Sequence, residues 1–78
     1  MKYYLDKIEQ IKDEEEGTYT EYGSRTKYAD EKSATTKFYE TLTNVSNSEA
    51  HVYLDIKIVN SEGGIIKKDS IGKYVETE

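Results

Sequence analysis

The stretch from His51 to Val59 constrains this chain more than any other. Val52, Leu54, Ile56 and Ile58 alternate with Tyr53, Asp55, Lys57 and Val59. Successive strand side chains point to opposite faces, so this period of two predicts a strand with one face on a core. Its β-branched residues suit a pleated, half-buried surface. Asn60-Ser61-Glu62-Gly63-Gly64 follows as a turn, with two glycines that take positive φ at low cost. Ile65 to Val75 then reads as a further extended run ending in a frayed acidic tail. Together they predict a hairpin.

A second hairpin is predicted at the N-terminus. Lys2 to Lys12 carries Tyr3, Tyr4, Leu5, Ile8 and Ile11. The spacing of Leu5, Ile8 and Ile11 also suits a short helix. Against that, Tyr4-Leu5-Asp6 recurs as Tyr53-Leu54-Asp55, each followed by Ile, charge and a turn containing Glu and Gly. Omitting Lys7 aligns Ile8 with Ile56 and Ile11 with Val59, and an extra residue is what a β-bulge supplies. The segment therefore reads as a strand bulged at Lys7. Asp13-Glu14-Glu15-Glu16-Gly17 ends it, and Thr18 to Tyr28 is rich in strand-forming Thr and Tyr.

Between the hairpins lies a helix from Asp30 to about Ser46. Asp30 suits the cap and Glu31 the positive end of the dipole. Ala34, Phe38, Thr41, Leu42 and Val45 recur at spacings of three and four, with Lys32, Thr36, Glu40, Thr43 and Asn47 opposite. The expected fold is α+β: ββαββ, one domain over residues 1–78, with a four-stranded antiparallel sheet in order 2-1-3-4 and one helix on one face. The most apolar strands, one and three, take the centre. The expected core is Leu5, Ile8, Ala34, Phe38, Leu42, Val45, Val52, Leu54, Ile56, Ile58 and either Ile66 or Ile71.

Composition narrows the function. With no Cys among 78 residues, disulfides, cysteine zinc sites and thiol nucleophiles are excluded. Pocket and core would compete for few apolar side chains, which disfavours an enzyme. Asp6 interrupts the apolar start, so no export signal is read. The apolar runs fall far short of the ~20 residues of a membrane helix. The expectation is a cytoplasmic protein, of phage or mobile-element type by size and composition. No cofactor, metal or small-molecule ligand is indicated.

Individual sites point the same way. Asp13-Glu14-Glu15-Glu16 lacks the alternating ligands and central glycine of a calcium loop, so it reads as a solvated turn. His51, the only histidine, has no carboxylate at a spacing that would orient it. No serine sits in a nucleophile elbow or phosphate loop. Asn44-Val45-Ser46 reads as a chance glycosylation match.

The eight tyrosines are the most informative feature. Tyrosine joins a large apolar ring to a hydroxyl and is favoured at interfaces. Tyr53, with Asp55 and Lys57, is expected on the sheet face opposite the helix, joined there by Tyr3, Tyr19 and either Tyr22 or Tyr28. The expected function is a non-catalytic interaction module that meets another protein, or a second copy, through that face or the edge of strand four. One alternative is an acidic nucleic-acid mimic using Glu14, Glu15 and Glu16. Another is a weak RNA binder through Lys67, Lys68 and Tyr74, which the net charge of −5 opposes.

Overall fold

The structure, a computed structural model, describes residues 2–76. The elements run β1 (Tyr3–Asp13), β2 (Thr18–Tyr28), α1 (Glu31–Ser46), β3 (His51–Asn60) and β4 (Ile65–Gly72). The four strands form one antiparallel sheet in order β2-β1-β3-β4. This is the expected ββαββ arrangement, with the two most apolar strands at its centre.

Each connection follows from local chemistry. Asp13 Oδ1 accepts the backbone N–H groups of Glu15 and Glu16, folding the acidic run into the β1–β2 turn. Gly17 closes that turn at φ 69°. The Asp30 carboxylate accepts the Ser33 N–H at 2.7 Å and caps the helix. Asn60 Oδ1 accepts from the N–H groups of Glu62 and Gly64, and Gly63 takes φ 87° in the β3–β4 turn.

The helix buries Ala34, Phe38, Thr41 and Val45 against the sheet. Leu5, Leu54, Ile56 and Ile58 meet them, with Tyr3, Tyr28, Leu42 and Ile71 packed around this cluster. Thr41 tolerates burial because its hydroxyl donates to the Lys37 carbonyl at 2.8 Å.

Two expectations about this core are corrected. Ile8 is 42% exposed and stands outside it. β1 is regular through Lys7, which pairs with Ser24 on one side and Ile56 on the other. The register shift against β3 comes later, between Gln10 and Ile11, which pair with Tyr53 and His51. The extra residue is therefore Val52, on β3, and Val52 is only half-buried. With no bulge at Lys7, strand alternation carries Ile8 to the face opposite Leu5. Ile66 is likewise exposed, and Ile71 is the β4 residue that packs on the core.

This parity has a direct stability test. Ile56→Ala empties a fully buried site and should cost ~2–5 kcal/mol. Ile8→Thr should cost less than ~1 kcal/mol, as an exposed substitution does. Urea unfolding followed by circular dichroism measures both; equal losses would mean that β1 is in another register.

Candidate functional site: the face opposite the helix

Cross-strand pairing arranges the face opposite the helix into four rows. The first is Tyr53–Gln10–Glu21, the second Asp55–Ile8–Gly23, the third Lys57–Asp6–Arg25 and the fourth Val59–Tyr4–Lys27. On β4, Ser70 extends the second row and Lys68 the third.

The second and third rows form a shallow concavity of about 290 Å³, lined by Asp6, Ile8, Gly23, Arg25, Asp55 and Lys57. Gly23 makes room for it. It stands opposite Ile8 and offers no side chain to cover it. A Cβ at Gly23 would meet only the Lys7 carbonyl oxygen, at 3.9 Å, so the gap is not required by the backbone.

The third row is ordered by charge. Arg25 donates from Nε to Asp6 Oδ1 and from Nη2 to Oδ2, each at 2.6 Å. Such a fork restrains the otherwise mobile guanidinium. The same guanidinium stacks over the Tyr4 ring, 4.9 Å from its centroid. Hydrogen bonding from Arg25 holds the Asp6 carboxyl below its ordinary pKa; partial burial opposes this, and the charges of Arg25 and Lys57 add to it.

The first row is covered by the chain's own C-terminal segment. Gly72 takes φ 74°, and a Cβ there would overlap the Val52 carbonyl oxygen, so glycine is needed where the chain leaves β4. Gln10 Nε2 donates to the Val75 carbonyl at 2.7 Å, and the Val75 N–H donates to Gln10 Oε1 at 2.8 Å. The Tyr74 hydroxyl donates to Glu21 at 2.6 Å, and its ring meets Tyr53 edge to face at 5.4 Å. The extended run expected to reach Val75 is corrected: β4 ends at Gly72, and residues 73–75 cross the sheet instead of continuing its edge, while Thr77 and Glu78 of the acidic tail lie outside the described residues.

The expected tyrosine cluster divides between the two faces. Tyr53 stands on this face beneath the tail, and Tyr19, paired with Lys12, lies on it nearer the acidic turn. Tyr3 and Tyr22 share the parity of Leu5 and point to the helix side; Tyr3 packs on the core and Tyr22 is 51% exposed. Asp55 and Lys57 are on the open face as expected. The sequence reading missed Tyr4, Ile8, Gln10 and Gly23. Strict alternation from Leu5 would have found the first three.

The expectation for His51 is also corrected. Its Nε2 lies 2.9 Å from Glu9 Oε2 and its Nδ1 2.8 Å from Ser48 Oγ. In the neutral ring, Nε2 donates to the carboxylate and Nδ1 accepts the Ser48 hydroxyl. The carboxylate comes from β1, 42 residues away in the chain. Ser-His-Glu order has the topology of a hydrolytic triad. The surroundings do not match the chemistry. Ser48 follows the carbonyl end of α1, and its N–H is spent on the Val45 carbonyl, so it is no donor for an oxyanion. Both described concavities lie elsewhere. The three residues clamp the α1–β3 connection to β1.

Among the described residues, no group of three His, Cys, Asp or Glu side chains could hold a metal ion, and no helix is long and apolar enough to cross a membrane. No protein family matches the chain, and no curated protein or solved structure shows a significant likeness to it.

The Arg25–Asp6 fork predicts a titration. A carboxyl with a lowered folded pKa adds stability above its unfolded value, about 3.9. That contribution disappears as pH falls through the still lower folded value. In carbon-detected NMR, Asp6 should titrate below 3.8 in the native chain and move upward in Arg25→Gln. An unchanged midpoint would mean that the fork is not formed in solution.

Proposed function

We propose that this chain is a non-catalytic interaction module that docks a partner protein on the face opposite its helix. The observation that carries this reading is Ile8, an exposed aliphatic side chain at the centre of a central strand, left uncovered by Gly23. A strand glycine costs roughly 0.5–1 kcal/mol relative to alanine. Here that cost opens a trough beside an apolar floor. The surrounding charges supply direction: Lys57 and Arg25 flank Asp6, and Asp55 stands at the trough's end. An apolar anchor inside a polar rim is the usual anatomy of a protein interface.

The acidic-mimic reading has less to support it. The four carboxylates at 13–16 crowd one turn, and Asp13 spends an oxygen on two backbone N–H groups. The RNA reading needs Lys67 and Lys68 together, but Lys67 pairs with Ile58 and Lys68 with Lys57, so strand alternation sends them to opposite faces. A cytoplasmic setting belongs to the proposal and rests on composition alone.

Two full-length variants test the trough. Ile8→Lys puts a charge on its floor. Gly23→Val fills it and should leave stability equal or higher, because the added side chain suits a strand. In affinity capture from the host, both should lose a partner that the native chain retains. Tyr39→Ser, at an exposed position on the helix and so on the other side of the sheet, should keep it. Retention of that partner by both trough variants would overturn the reading.

A further inference from the structure

The first row is built like a seat for an extended peptide. Gln10 uses both ends of its side-chain amide on one residue, accepting the Val75 N–H and donating to the Val75 carbonyl. A neighbouring strand satisfies a residue's backbone in the same way. This recognition ignores the side chain of the residue held, but it requires an extended backbone with a free N–H. Glu21 and Tyr53 add side-chain selectivity one residue earlier. A carboxylate at 2.6 Å from the phenol oxygen and an aromatic edge against the ring together call for tyrosine. The seat itself is firm: Gln10 lies on a central strand, paired with Tyr53 on one side and Glu21 on the other.

The segment filling the seat is held far less firmly. Tyr74 is 50% exposed, and residues 73–76 belong to no strand. Three hydrogen bonds and one ring contact attach them, joined to β4 through Gly72. Such a segment opens at small cost compared with the sheet beneath it.

We propose that the row Tyr53–Gln10–Glu21 binds an extended, tyrosine-bearing segment of a partner protein, and that residues 73–76 occupy this seat as a displaceable internal ligand. The proposal rests on the open face being a docking face and adds the chemistry of the partner: a tyrosine followed by a residue other than proline, in strand conformation. A second copy's tail is the weaker occupant. It would remake the same contacts while losing the entropy of association. A partner segment gains more, because the second row lies directly beside the first and the internal tail leaves Ile8 exposed there.

The test uses the full chain and a synthetic peptide, acetyl-Gly-Lys-Tyr-Val-Glu-amide, matching residues 72–76. Two variants release the internal tail: Val75→Pro removes the N–H given to Gln10, and Tyr74→Ala removes the phenol. Thermal melts establish that each is folded. Gln10 is the only glutamine, so its side-chain amide signals in nitrogen-15 NMR report the seat directly. The peptide should shift those signals in both variants and bind at least about tenfold more tightly than to the native chain, whose own tail competes. A Tyr→Phe peptide should bind several-fold more weakly, and Gln10→Ala in the Tyr74→Ala background should abolish binding. Unmoved Gln10 signals in the folded variants, or equal binding of a scrambled peptide, would overturn the proposal. Dimer formation by the native chain with protection of Gln10 would assign the seat to a second copy and overturn it equally. The trough is read by partner capture with Ile8→Lys and Gly23→Val and the seat by this probe on Gln10, so the two readings succeed or fail separately.

Discussion

The pairing of Leu5 with Ile58 across the β1–β3 ladder sets the parity of the whole sheet. Both side chains are buried in the cluster under the helix. Once they face the helix, Tyr4, Asp6, Ile8 and Gln10 must face away, and so must the residues opposite them on β2 and β3. A slip of one residue would exchange the two sets. It would bury Asp6 and Gln10 against Phe38 and expose Leu5. The cost of burying an unpaired carboxylate makes that alternative untenable. The candidate site is thus a by-product of core formation: its residues lie together because their neighbours are apolar.

This accounts for what was legible in the sequence. β3 announced itself because its apolar residues are β-branched or leucine in strict alternation. The helix was legible because Asp30 caps it and Phe38 dominates its stripe. Strand order followed from giving the most apolar strands the centre. The bulge was misplaced because alignment to an internal echo treated Ile8 as equivalent to Ile56. Aliphatic identity alone does not say which face a residue takes. Tyrosine is ambiguous for the same reason. Tyr3 packs on the core while Tyr4 lies under Arg25, and each environment satisfies an amphipathic ring.

The missed contacts share another trait. Gln10 with Val75, Tyr74 with Glu21 and His51 with Glu9 join residues 65, 53 and 42 positions apart. Each depends on a side chain meeting a distant partner, and none leaves a periodic trace. The tail has too few residues for a period. Gly72 sits inside what reads as one extended run to Val75, although its positive φ redirects the chain over the sheet.

Charge placement decides how the net −5 is to be read. The molecule spans 44 × 25 × 16 Å. Asp13 to Glu16 lie at the tip of the β1–β2 hairpin, whereas Arg25, Lys27, Lys57 and Lys68 lie in the third and fourth rows, many residues along the strands from that tip. Charges interact over about 8–10 Å at ordinary ionic strength, so the two regions act independently. The acidic surplus therefore describes the hairpin tip and not the trough. The third row of the open face carries more positive than negative charge and lies between Ile8 and Val59. If the proposed docking holds, complementarity there calls for a partner that brings an aliphatic residue next to a carboxylate.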